Sequence, residues 1–148
     1  RVDKIPINPN SLYGAKSTDK TSWGTFEQAK AAIGKKAKMK AVQGKECNGI
    51  GFVLSAPYCG IDIDHCFNPE TDEWSKEALD IIKNMNSYTE VSPSGTGVHI
   101  FYKNDGNTHT EWNKKKPIDS IQHLEMYQTD RYFTVTGEMF GNTLKERR

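Results

Sequence analysis

Three polar-studded segments hold the residues able to do chemistry: Gly60-Ile61-Asp62-Ile63-Asp64-His65, Ser92-Pro93-Ser94-Gly95-Thr96-Gly97-Val98-His99, and Leu124-Glu125-Met126 followed by Arg131-Tyr132-Phe133-Thr134-Val135-Thr136-Gly137. Each sets a charged or polar residue into a strand-like apolar run, where burying a charge is costly unless a metal or a partner satisfies it. Asp62 and Asp64 stand two apart, so on a strand both carboxylates project from one face, with Cβ atoms roughly 6 to 7 Å apart. Anions that close repel unless a cation lies between them, and hard divalent ions such as Mg2+ or Mn2+ take oxygen ligands. Ile61 and Ile63 would bury the opposite face and hold the pair rigidly, and Glu125, on a later strand, is the natural third carboxylate.

Ser94-Gly95-Thr96-Gly97 reads as a tight turn whose glycines permit close backbone approach, so its amides could cradle phosphate oxygens. His99 lies two residues beyond it, placed to donate to a β or γ phosphate. Arg131 could pair with phosphate or with Glu125. Taken singly each feature has a bland counterpart: an acidic pair at a strand end, a hairpin turn, a structural histidine, an outward-facing glutamate. Two lysine clusters, Lys35, Lys36, Lys38 and Lys40, and Lys114 to Lys116, read equally as nucleic-acid backbone contacts or as solvated surface.

The elements that would position these residues are legible as patterns. Residues 1 to 22, with Pro6 and Pro9, read as an extended polar arm. Thr25 with Gln28 three residues later forms a capping box ahead of Ala29, Ala31, Ala32 and Ile33, so a helix starts there and ends near Gly34. Ile50 to Leu54 and Cys59 to Asp64 read as two strands of a hairpin turning at Ala56-Pro57-Tyr58. Trp74, Ala78, Ile81, Ile82 and Met85 recur at helical spacing between about Glu73 and Met85, with Asn84 and Asn86 helping to end the helix. Thr89 to Val91, Val98 to Tyr102, Ile121 to Tyr127 and Tyr132 to Thr136 read as strands of a meander, and Lys103 to Lys116 as a long surface loop.

A length of 148 residues fits one domain with a real core, 1 to 148, and 35% hydrophobic with 26% charged residues describes a soluble protein. No apolar run is long enough to span a membrane. A formal net charge of +1 argues neither for nor against a nucleic-acid partner. Cys47, Cys59 and Cys66, odd in number and unpaired in spacing, argue against a disulfide framework and fit a reducing cytoplasm. A zinc site from Cys59, His65 and Cys66 is a weaker alternative, because adjacent strand residues face opposite ways. The chain starts at Arg1 without a leader, so it reads as the N-terminal piece of a longer protein.

In this order the motifs resemble those of the archaeo-eukaryotic primase superfamily, in particular the primase-polymerase (prim-pol) domains of phage and plasmid replication proteins. The resemblance rests on Asp62 and Asp64, then Ser94 to His99, then Glu125, with Lys4-Ile5-Pro6 and Ser22 to Ala29 similar to the family's opening. The glutamate as third acid departs from the commoner aspartate. The resemblance implies an α+β fold, a prim-pol catalytic core with an RNA-recognition-like antiparallel sheet flanked by helices. It also implies a nucleotidyltransferase, a DNA primase or DNA polymerase, acting on a DNA template and primer with NTP or dNTP. Asp62, Asp64 and Glu125 would hold two Mg2+ or Mn2+ ions. His99, the turn Ser94, Gly95, Thr96 and Gly97, and Arg131 would orient the triphosphate. A helicase domain is the expected companion, in the cytoplasm of a bacterial host.

Two other classes compete. A replication-initiator nuclease needs His-x-His on a strand, but His99 has Phe101 and His123 has Glu125 at the matching positions. A noncatalytic single-stranded nucleic-acid-binding module would use Tyr127, Tyr132 and Phe133, yet three convergent carboxylates would repel phosphate without metal.

Overall fold

The computed structural model describes residues 1–104, 114–118 and 121–141, with the backbone alone for 114–118 and 121–123. In chain order the helices and strands are Phe26–Ala32 (α1), Ile50–Leu54 (β1), Tyr58–Ile63 (β2), Phe67–Asn68 (β3), Glu73–Trp74 (β4), Lys76–Met85 (α2), Tyr88–Val91 (β5), Val98–Lys103 (β6), Lys114–Ile118 (β7), Ile121–Tyr127 (β8) and Arg131–Val135 (β9). The architecture is α+β with antiparallel sheets.

β2 alternates Cys59, Ile61 and Ile63 with Gly60 and Asp62, which gives it one apolar and one polar face. It is the central strand of a five-stranded sheet ordered β5-β6-β2-β8-β7, antiparallel throughout. On the apolar face, Ile61, Ile63, Val91, Val98, Ile100 and Leu124 pack with Ala78 of α2 and with Phe140, and Leu79, Ile81, Ile82 and Met85 close over them. On the opposite face the two-stranded ribbon β1-β9 lies across one end of the sheet, where Leu54, Tyr127 and Phe133 form a second cluster with Phe101.

The local signals for helices act as expected. Thr25 and Gln28 form both bonds of the capping box on α1. α2 ends at Asn86, which takes the left-handed conformation at φ 45°. Its start differs from the expected Glu73: Ser75 caps Lys76–Met85, because Glu73 and Trp74 pair with Phe67 and Asn68.

Four longer-range expectations are corrected. β1 and β2 are not a hairpin, since β1 pairs with β9 and both edges of β2 are taken by β6 and β8. The second half is not a simple meander, because β2 inserts between β6 and β8 and β9 leaves the main sheet for β1. The supposed loop Lys103 to Lys116 overlaps structure at both ends: Lys103 closes β6, and Lys114–Lys116 belong to β7, paired with β8; residues 105–113 of that span lie outside the described residues. Finally, residues 1 to 22 are not an extended polar arm. Val2 and Ile7 are buried with Ala37, Val42 and Cys47 in a small core of their own, so the alternating apolar residues outweigh the prolines.

Candidate active site

Strand register places the candidate residues. Asp62 on β2 stands directly opposite His99 on β6 and directly opposite Glu125 on β8, and His99 stands opposite Glu90 on β5. Residues directly opposite in an antiparallel pair share a face, with Cβ atoms about 4.5–5.5 Å apart. Glu90, His99, Asp62 and Glu125 thus form one row across four adjacent strands, on the face turned away from α2. Asp64 sits one residue past the end of β2, not within it, at the same end of the site.

The His99 ring is nearly buried and stacks 4.9 Å from the Phe133 ring. Its Nδ1 lies 3.0 Å from the Thr134 carbonyl, which can only accept, so Nδ1 carries a proton. Its Nε2 stands 3.5 Å from Asp62 Oδ1, an ion-pair contact at the outer limit of hydrogen-bond distance, and that buried oxygen has no closer donor. Burial alone would lower the imidazole pKa, but the Asp62 carboxylate, the Thr134 carbonyl and Asp64 outweigh it and hold the pKa above its ordinary value. The two ring nitrogens thus face protein acceptors, Nδ1 the Thr134 carbonyl and Nε2 the Asp62 carboxylate.

Asp64 is half-buried. Burial first, then the neighbouring Asp62 and Glu125 carboxylates, raise its pKa, with His65 and His99 opposing. The carboxylates thus crowd one another at this end of the sheet. Among the described residues, however, no three His, Cys, Asp or Glu side chains form a ready ligand set for one ion. One reason is visible at Glu125, whose Oε2 accepts a 2.7 Å hydrogen bond from the Tyr127 hydroxyl. The zinc alternative is disfavoured by its own thiol: Cys66 donates toward the Ile63 carbonyl at 3.5 Å, and burial pushes its pKa up to about 11, away from the thiolate a zinc ion needs.

The turn from Ser92 to Gly97 joins β5 to β6 and packs against the end of β2. A Cβ on Gly97 would lie 2.6 Å from the Ile63 carbonyl oxygen, so only glycine lets the turn approach Asp64 this closely. The Thr96 carbonyl accepts from the amides of Cys66 and Phe67, which ties the turn to the segment after Asp64. Within it, Gly95 N donates to Ser92 O and Thr96 N to Ser94 Oγ, so these two amides are used internally. The Ser92, Ser94 and Thr96 hydroxyls form a chain with spacings of 3.0 and 3.1 Å, and Ser94 is exposed.

Arg131 opens β9, exposed, with its guanidinium 4.6 Å from the centre of the Tyr127 ring. It reaches the row by stacking on the residue that donates to Glu125. Glu90 was not among the sequence candidates, yet it is fully buried and accepts from the Tyr88 hydroxyl at 2.7 Å and from Thr136 N and Oγ1 at 2.6 and 3.0 Å. It fixes the end of β9, two residues from the carbonyl that holds His99. The signal was available: a hairpin closing Val91 on Val98 must set Glu90 beside His99.

Among the described residues no helix is long and apolar enough to cross a membrane. No protein-family model matches the chain. The chain is similar, at 37% identity over 142 residues, to the DNA primase-polymerase of Nitratiruptor phage NrS-1. The match takes in 95% of this chain and 18% of that protein, so the chain spans less than a fifth of the curated relative it matches.

Proposed function

We propose that this chain is a catalytic unit for template-directed nucleotidyl transfer, as a DNA primase, a DNA polymerase or both, in the replication of a phage or other mobile element. The observation that carries the reading is the register of Asp62 between His99 and Glu125, with Asp64 beside them. The similarity to a DNA primase-polymerase along nearly the whole chain supports it.

The donor set fits a hard divalent cation: a buried Asp62 oxygen without a donor, an Asp64 carboxyl whose charge its neighbours disfavour, and a third carboxylate directly across the sheet. Mg2+ or Mn2+ held by Asp62, Asp64 and Glu125, as two ions in the family's manner, would neutralise triphosphate charge and make the attacking 3′-hydroxyl more acidic. The protein's own contribution is positional. His99, fixed by Thr134 and Phe133, holds the Asp62 carboxylate in place. The exposed Ser94 hydroxyl and the Arg131 guanidinium flank the row, where they would bind the NTP or dNTP phosphates as the 3′-oxygen attacks the α-phosphorus and pyrophosphate leaves. DNA template and primer are the corresponding partners, and a helicase domain is the companion that the resemblance implies.

Incubating the protein with a primed template, each nucleotide type and Mg2+ or Mn2+ tests this against Asp62→Ala with Asp64→Ala. Loss of at least about a hundredfold in extension is expected, the scale on which removing transition-state charge stabilisation acts. Equal extension by both proteins would show that the site is misassigned. Calorimetry of metal-dependent nucleotide binding gives a readout that does not require extension.

A further inference from the structure

Between the N-terminal segment, α1 and the β1-β9 ribbon lies a cleft of about 570 Å3, a volume in the range of small-ligand sites. Its lining includes the aromatic side chains Trp23, Phe26, Phe52, Tyr58 and Tyr132. Three of these stay open to water, Phe26 at 60% exposure, Tyr58 at 40% and Phe52 at 37%, the last two packed edge-to-face on each other with part of each ring still free. The Trp23 indole nitrogen already donates to the Lys16 carbonyl, which leaves its ring faces as what it can offer a ligand. Such a lining stacks flat rings without reading their edges.

Cations stand at the same aromatics. Lys30 Nζ is 5.1 Å from the centre of the Phe26 ring, and Lys103 Nζ is 5.6 Å from that of Tyr58. The overall charge of +1 conceals a division: residues 1–48 carry ten lysines and arginines against four acids, while the rest of the chain carries ten against fifteen. One wall of the cleft thus comes from the basic part of the chain, with Arg1 as the charged residue in its lining. Aromatic faces beside lysines are the combination that binds single-stranded nucleic acid with little sequence preference, bases stacking and phosphates lying along the cations.

We infer that the cleft seats bases of a single-stranded polynucleotide, which, resting on the reading above, is the template strand. Tyr132 and Val135 line the cleft, and between them Thr134 offers its carbonyl to His99. A strand seated there lies one β-strand away from the acidic row.

Fluorescence anisotropy with a labelled oligothymidylate in EDTA tests the cleft independently of metal and catalysis. Phe26→Ala and Tyr58→Ala should each weaken binding about 5- to 100-fold, the scale of one lost base stack. Both side chains are exposed, so melting temperatures should stay near wild type. An abasic strand of equal length should bind the wild type far more weakly. Unchanged affinity in both aromatic variants, equal binding of the abasic strand, or no binding of any single strand by the wild type would each overturn the proposal. Single-strand binding without primer extension would sink the polymerase reading alone. Extension that is indifferent to both aromatic variants at limiting template would sink the cleft alone.

Discussion

Asp64→Asn should make the metal-free protein more stable and the metal-loaded protein less stable, so that the two orders of stability cross. In the unfolded chain Asp64 ionises at its ordinary value, whereas in the fold burial, Asp62 and Glu125 raise its pKa. Between those two values the native state binds more protons, so stability falls as pH rises through the window and stays lower at neutral pH. Two carboxylates about 6.5 Å apart repel by about 0.6 kcal/mol at the dielectric of water and about 2.6 kcal/mol at an effective dielectric of 20. Asp64 is half-exposed and solvent screens it, so relief of about 1 kcal/mol is expected at pH 7 in EDTA, or about 2–4 °C in melting temperature for a chain of this size. A divalent ion at about a hundred times its Kd should stabilise the wild type by about 2.7 kcal/mol, or about 5–11 °C, and the variant by much less. Melting curves from pH 4 to 7, in EDTA and in Mn2+, measure both arms. The reasoning fails if the variant melts below wild type in EDTA at pH 7, or if Mn2+ raises both equally.

Asp62→Asn removes the anion that opposes burial at His99, so the ring's titration, followed by NMR, should move to lower pH; an unmoved titration would mean Asp62 is not the partner. In the wild type the stability that His99 contributes is full below the ordinary histidine value and is lost as pH rises through the raised one. Glu90→Gln can keep an oxygen toward Thr136 and turn its amide to the Tyr88 hydroxyl, so urea denaturation should show a cost of about 1–2 kcal/mol, against about 3–4 kcal/mol for Glu90→Ala. Equal costs would contradict the hydrogen-bond assignment. Gly97→Ala meets the Ile63 carbonyl at 2.6 Å and should cost about 2–4 kcal/mol in the same assay, while extension activity falls as the turn is pushed off Asp64.

What the sequence made legible was what local chemistry decides. The Thr25 and Gln28 capping box, the amphipathic α2 and the paired faces of β2 all depend on residues within a few positions of one another. The pairing of β1 with β9 joins Ile50 to Val135, and no local pattern carries that contact. The same holds for Glu125: its type marked it as a candidate, but its place opposite Asp62 is a matter of register between distant strands. Glu90 escaped because a glutamate after Thr89 looks like an outward residue on a half-exposed strand, whereas β9 folds back to cover it through Thr136.

Carboxylates set side by side on one sheet face, such as Asp62 and Glu125, tend to drive that face apart, and the opposite face decides whether they can. One residue further along, the same register sets Val91, Val98, Ile63 and Leu124 side by side against the α2 side, between 0% and 4% exposed. Burying each such side chain is worth about 1.5–3 kcal/mol, more than the repulsion of about 0.8 kcal/mol, at the dielectric of water, between Asp62 and Glu125 about 5 Å apart across the sheet. A slip of one residue on any of these strands would send a carboxylate or His99 into that core and a valine, leucine or isoleucine to the site, so both faces specify one register. The apolar row therefore wins, and it holds the carboxylates closer together than they would settle by themselves.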